Sequence, residues 1–79
     1  MIRIKLELGG PLREEKGQWH LLRLRNGSTV RDALRKIGVT EELYITVFRN
    51  SKKAELSDSL SEGDMLVAFP PVGGGSLGE

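Results

Sequence analysis

Apolar and polar residues alternate from the first positions of the chain. Ile2, Ile4, Leu6 and Leu8 share one parity, and Arg3, Lys5 and Glu7 share the other. Period two predicts a strand with one buried and one wet face. Gly9, Gly10 and Pro11 end it. The polar stretch PLREEKGQ reads as a long hairpin connection. WHLLRLR is a second strand closed by the turn residues NGS, with His20, Leu22 and Leu24 on one face and Trp19, Leu21, Arg23 and Arg25 on the other. In STVRDALRKIG the period changes. Val30, Ala33, Leu34 and Ile37 follow the spacing of one helical stripe, and Arg31, Arg35 and Lys36 are left on a solvated face. Thr29 is the expected N-cap, Asp32 is placed to answer it, and Gly38 suits the left-handed stop. ELYITVFRN is a third strand, rich in β-branched and aromatic residues. It sets Tyr44 and Phe48 opposite Ile45 and Val47. SKKAELSDSLSEGD is a polar loop with room for a short strand. Lys52 and Lys53 are solvated there, and Leu56 and Leu60 anchor the loop to the core. MLVAF is the last strand, and Pro70 ends its ladder because proline has no N–H to donate.

A helix this short is marginal alone and must lay its stripe on a sheet. The expected architecture is therefore α+β, a mixed sheet packed on one main helix. The last strand is expected beside the first, with the tail projecting from one edge. Order and size match a β-grasp, or ubiquitin-like, roll. Residues 1–70 are expected to form the domain and residues 71–79 a flexible glycine-rich tail.

Composition narrows the chemistry. The chain has 79 residues and no cysteine, which removes disulfides, thiolate metal sites and thiol catalysis. With a single histidine, His20, no metal site and no cofactor are expected. Net charge is +1, without the basic excess that nucleic-acid binding needs. No apolar run reaches the roughly 20 residues of a membrane helix, and no signal-peptide pattern is present. A cytoplasmic protein is expected.

The sharpest feature is the end, FPPVGGGSLGE. Taken alone, a glycine-rich end reads as a flexible linker. Preceded by GDMLVA, it resembles the end of the molybdopterin synthase small subunit family (MoaD). There an acidic GD turn, a last strand, FPPV, one small residue and Gly-Gly follow in order. Gly63, Asp64, Phe69, Pro70, Pro71, Val72, Gly74 and Gly75 fall at the matching positions, with Gly73 in the small-residue slot. NGSTVRDALRKIG resembles the helix start shared by MoaD and the thiamin sulfur carriers (ThiS), and Asn50 follows a strand as an asparagine often does in both.

The resemblance implies a sulfur carrier without catalytic side chains of its own. The terminal glycine carboxylate is adenylated by a ubiquitin-activating-type adenylyltransferase (MoeB/ThiF-like). It then becomes a thiocarboxylate that donates sulfur, here in molybdopterin biosynthesis with a large subunit (MoaE-like). The reactive carboxylate maps to Gly75, and Pro70, Pro71, Val72, Gly73, Gly74 and Gly75 would thread the partner's active site. Glycine suits a narrow channel because it has no Cβ. The chain departs from the pattern at SLGE, which covers Gly75. Either a protease, such as a JAMM-type metalloprotease, removes it, or it is appended to a native chain ending at Gly75. A third alternative is an interaction module that has left tail chemistry. Thiamin or tRNA thiolation and protein conjugation are the other uses of such a tail. Trp19, Tyr44 and Phe48 form a candidate docking patch, unless one of them packs under a loop.

Overall fold

The computed structural model describes residues 1–39 and 42–70. Strand β1 (Ile2–Leu8) buries its even positions, and β2 (Trp19–Leu24) pairs with it antiparallel, Ile2 opposite Leu24 and Glu7 opposite Trp19. Helix α2 (Val30–Lys36) begins at a capping box: Thr29 Oγ1 accepts from the Asp32 amide, and Asp32 Oδ2 accepts from the Thr29 amide at 2.9 Å. Thr29 bonding, backbone amide first, holds the Asp32 carboxyl below its ordinary range. Val30, Ala33 and Leu34 are fully buried, Ile37 packs against them half-buried, and Gly38 ends the helix at φ +88°. Strands β3 (Thr46–Arg49), β4 (Lys52–Lys53) and β5 (Met65–Phe69) complete the sheet, in the order β2-β1-β5-β3-β4. β5 runs parallel to β1 and antiparallel to β3. This is the expected β-grasp arrangement, with Leu60 buried in the core and Leu56 packed at its rim.

Five expectations are corrected. The connection PLREEKGQ contains a helix, α1 (Gly10–Lys16). Pro11 presets its first turn, Leu12 packs against the core, and Gly17 closes it by donating to the Arg13 carbonyl at 2.8 Å. The third strand starts late, because Glu42–Tyr44 is a 3-10 turn. The Glu42 side chain, 9% exposed, accepts from Arg35 at 3.0 Å, and Arg31 lies 3.7 Å away. Its own backbone amide and then Arg35 lower the Glu42 pKa. That anchorage to α2 keeps the segment from extending before Thr46, so two of the cations expected on a solvated face hold an acid instead. Lys52 and Lys53 are exposed but belong to an edge strand rather than a loop. Finally, β5 is the middle strand, so the chain leaves the sheet from its centre and not from an edge.

The start of β5 is fixed by Asp64, which is buried. Its carboxylate accepts from Arg49 Nε at 2.8 Å, Asn50 Nδ2 at 3.0 Å and the Ser61 amide at 2.8 Å. Asn50, at φ +51°, returns its Oδ1 to the Met65 amide at 2.9 Å. Burial by itself raises the Asp64 pKa, but the Ser61 amide, Asn50 and Arg49 outweigh it and hold the pKa below 3.8.

Two outcomes follow from this packing. Leu34→Ala empties a fully buried site and should destabilise the protein by about 2–5 kcal/mol in urea unfolding; a mutant that unfolds with the parent would remove Leu34 from the core. The folded pKa of Asp64 is depressed, so its stabilisation is complete above 3.8 and is lost as pH falls through the lower folded value. Asp64→Asn should therefore destabilise strongly at neutral pH, by about 3 kcal/mol, and the gap to the parent should narrow in strong acid. A gap independent of pH would show that shape, not charge, holds the turn.

Candidate functional site

The parallel pairing of β5 with β1 brings the end of β5 beside the β1–α1 junction. There the Gly9 amide donates to the Ala68 carbonyl at 2.9 Å. Gly10 takes φ +59°, and a Cβ built on it would lie 3.6 Å from the Pro70 ring. Thr46 pairs with Phe69 on the other side. Ala68 and Phe69, just before Pro70, are thus paired on both sides at the point where the ladder stops. Pro71, Val72, Gly73, Gly74 and Gly75 lie outside the described residues.

The sheet has one face against α2 and one face without a covering layer among the described residues. Register places Trp19, Glu7, Val67 and Phe48 in one row across four strands on that outer face. Leu21, Lys5 and Met65 form the next row, and Phe69 lies on the tail side beside Thr46. The Phe48 and Phe69 rings are 5.8 Å apart and tilted by 32°, a favourable aromatic pair. Trp19 is 55% exposed and Leu21 78%. With strands about 4.8 Å apart, Trp19 and Phe48 are separated by about 14 Å, bridged by Glu7 and Val67. Away from the tail the face becomes polar, where Arg3 pairs with Glu62 at 3.2 Å. The Arg3 amide, then its charge, lowers the Glu62 pKa.

The structure brings Trp19 and Phe48 onto one face but does not add Tyr44. Tyr44 is exposed in the 3-10 turn and lines a groove with Arg31, Glu42 and Leu56. Leu21, Met65, Val67 and Phe69 were missed as members of the face. Their signal was available: MLVAF is apolar at both parities, the mark of a central strand whose two faces both shun water. His20 lies 3.2 Å from the Gly17 carbonyl, within hydrogen-bond reach. Among the described residues, no group of three His, Asp or Glu side chains is placed to hold a metal, and no helix is long and apolar enough to cross a membrane.

The ThiS family model matches residues 6–75. The chain belongs to the ThiS family. Its fold is that of the MoaD/ThiS-type ubiquitin-like carriers. Small archaeal modifier protein 1 of Haloferax volcanii is 28% identical, with a TM-score of 0.77 over 92% of this chain and 99% of that one. A putative molybdopterin converting factor subunit 1 from Pyrococcus furiosus is 21% identical, with a TM-score of 0.76 over 91% of this chain and 100% of that one. The complex of subunits 1 and 2 of the molybdopterin-converting factor of Helicobacter pylori contains a chain 21% identical, with a TM-score of 0.64 over 94% of this chain and 100% of that one. The latter two likenesses are of fold. No curated relative matches.

The ThiS-family chain thus pairs a tail root at the middle of the sheet with an apolar face beside it. If Phe48 belongs to that face and not to the core, Phe48→Ala should cost only about 1 kcal/mol, well below Leu34→Ala. Thermal melting of the two mutants side by side decides it; equal losses would place Phe48 in the core.

Proposed function

We propose that this chain is a sulfur carrier of molybdopterin biosynthesis and that its reactive group is the carboxylate of Gly75, freed when residues 76–79 are removed. The observation that carries the reading is the family match, which runs to Gly75 and leaves SLGE outside. The chemistry is a property of the backbone. A Gly75 carboxylate oxygen attacks the α-phosphorus of ATP and pyrophosphate leaves. Hydrosulfide, supplied by a sulfur donor, then attacks the carbonyl carbon and AMP leaves, which yields the thiocarboxylate. The chain acts as a cosubstrate and not as an enzyme. The absence of cysteine and the single histidine are consistent with that division of labour.

The partners are an adenylyltransferase of the ubiquitin-activating type, then a large synthase subunit, with a protease of the JAMM type to expose Gly75. The likeness to subunit 1 in the Helicobacter pylori complex favours the large subunit as a partner. The outer face of Trp19, Val67, Phe48 and Phe69 is the docking surface in this reading. Its apolar core beside the tail root lets one partner grip the domain and draw Pro71 to Gly75 into its site, with Pro70 as a stiff stub that limits the freedom lost on docking.

Protein conjugation is the second reading. It is favoured by the 28% identity to a protein named as a modifier. Both uses begin with the same adenylate, and the mass of the product separates them. A carrier gives a chain ending at Gly75 with one oxygen replaced by sulfur, and a modifier gives an isopeptide to lysine.

The shared step is tested by ATP–pyrophosphate exchange on three chains. The Gly75-ended chain should exchange and the Glu79-ended chain should not, because four added residues displace the carboxylate by up to ~13 Å from the α-phosphate. Gly75→Val in the shortened chain should also fail, since its branched Cβ narrows the backbone's choices in a tight channel. Equal exchange by the Glu79-ended chain would end the masking idea. No exchange by the Gly75-ended chain across a panel of activating enzymes would favour an interaction module.

A further inference from the structure

The two edges of the sheet are built differently. The β4 edge is two residues long and both are lysines, a short charged edge that resists pairing. The β2 edge is six residues long, contains no proline, and holds an unbroken register with β1 from Leu24 to Trp19. Arg23 is its one charged residue, and no bulge or inward-pointing charge blunts it further.

The unpaired groups of that edge can be assigned by parity. The Leu8 amide donates to the Gln18 carbonyl at 2.8 Å. Hydrogen-bonded pairs recur every second residue in an antiparallel ladder, so the even residues of β2 face β1. Trp19, Leu21 and Arg23 therefore direct their N–H and C=O groups away from the sheet. Among the described residues, none of the three makes a backbone hydrogen bond outside the ladder. The same residues carry their side chains on the outer face, where Leu21 is 78% exposed and Trp19 55%.

We propose that β2 is a self-pairing edge: two copies of this chain join antiparallel about a twofold axis through Leu21, and their sheets become one continuous sheet. Pairing and charge together select this register: an axis through His20 sets Arg23 against Gly17, outside the strand, and only an axis through Leu21 pairs all three outward residues within it. An axis through Arg23 sets two guanidinium groups directly opposite, which is destabilising. An axis through Leu22 brings the two Arg23 residues to diagonal positions about 7–8 Å apart. An axis through Trp19 sets Leu21 against Gly17, which lies outside the strand at φ +95°. An axis through Leu21 sets Leu21 on its own copy and separates the two Arg23 residues by about 13 Å along the strand. It also places each Trp19 opposite Arg23 of the second copy, where a cation meets an aromatic face.

This inference does not depend on tail chemistry. The pairing covers Trp19 and leaves Phe48, Val67 and Phe69 clear, so the docking face is shared only at its β2 end. A contact of one strand per copy is a small interface and calls for weak, concentration-dependent association.

The absence of cysteine provides a clean test. Leu21→Cys sets two thiols opposite each other at the axis, with Cα atoms about 5.5 Å apart, within reach of a disulfide. Arg23→Cys places them about 13 Å apart, beyond that reach. Under mild oxidation the first should cross-link at least ~tenfold faster than the second, since only it satisfies disulfide geometry. Sedimentation of the parent should show mass rising toward the dimer between about 10 μM and about 1 mM. Leu21→Lys should stay monomeric and melt like the parent, because position 21 is exposed and two lysines would meet at the axis. A parent that stays monomeric at about 1 mM would overturn the proposal and leave the edge to an extended segment of another protein. Equal cross-linking of the two cysteine variants would overturn the register.

Discussion

Asp64 joins the two halves of the sheet before β5 begins. Its side chain holds Arg49 and Asn50, at the end of β3, and its carbonyl accepts from the Lys5 amide of β1 at 3.0 Å. Just ahead of it, the Gly63 amide donates to the Arg3 carbonyl at 2.8 Å, in a turn that needs φ +85°. Both neighbours of β5 are thus tied to one short turn. Strand register has a period of two, so a slip of one residue would turn every side chain of β5 to the wrong face. With the turn fixed, Leu66 and Ala68 are fully buried under α2, and Met65, Val67 and Phe69 point outward.

That outcome governs the surface. A two-layer α+β fold covers one side of its sheet with helix and leaves the other side bare. Here the side left uncovered among the described residues carries apolar residues from the central strand and from β2. Lys5 and Glu7 interrupt it, and Glu7 is engaged by Gln18 at 3.0 Å. The chain leaves the sheet from the middle strand, next to this face, where the Gly9 amide donates to the Ala68 carbonyl. In the proposed carrier, the rigid part supplies grip and direction, while the chemistry belongs to a terminal carboxylate and to the partners' sites. Such a division would let a ThiS-family chain without cysteine serve sulfur transfer.

Much of this was written locally. The alternation from Ile2 to Leu8, the helical stripe of Val30, Ala33 and Leu34, and the Thr29–Asp32 box each involve residues a few positions apart. Local spacing settles such features because the facing of a side chain follows from backbone period alone. The same holds for Pro70, whose missing N–H ends a ladder in any context. The glycine-rich tail stands apart, since it lies outside the described residues and the chemistry proposed for it needs only backbone atoms in a row.

What the sequence left open depends on partners distant in the chain. PLREEKGQ looks like loop by polarity, and it becomes α1 because Leu12 finds the core. Tyr44 fits a strand by propensity, yet Glu42 is drawn to Arg35 and turns the segment. Trp19 and Phe48 come onto one face only because β1 and β5 lie between their strands. Local period fixes which side of its own strand a residue takes, but the order and register of strands are set by bonds such as Arg49 to Asp64, and those exist only once the chain has folded.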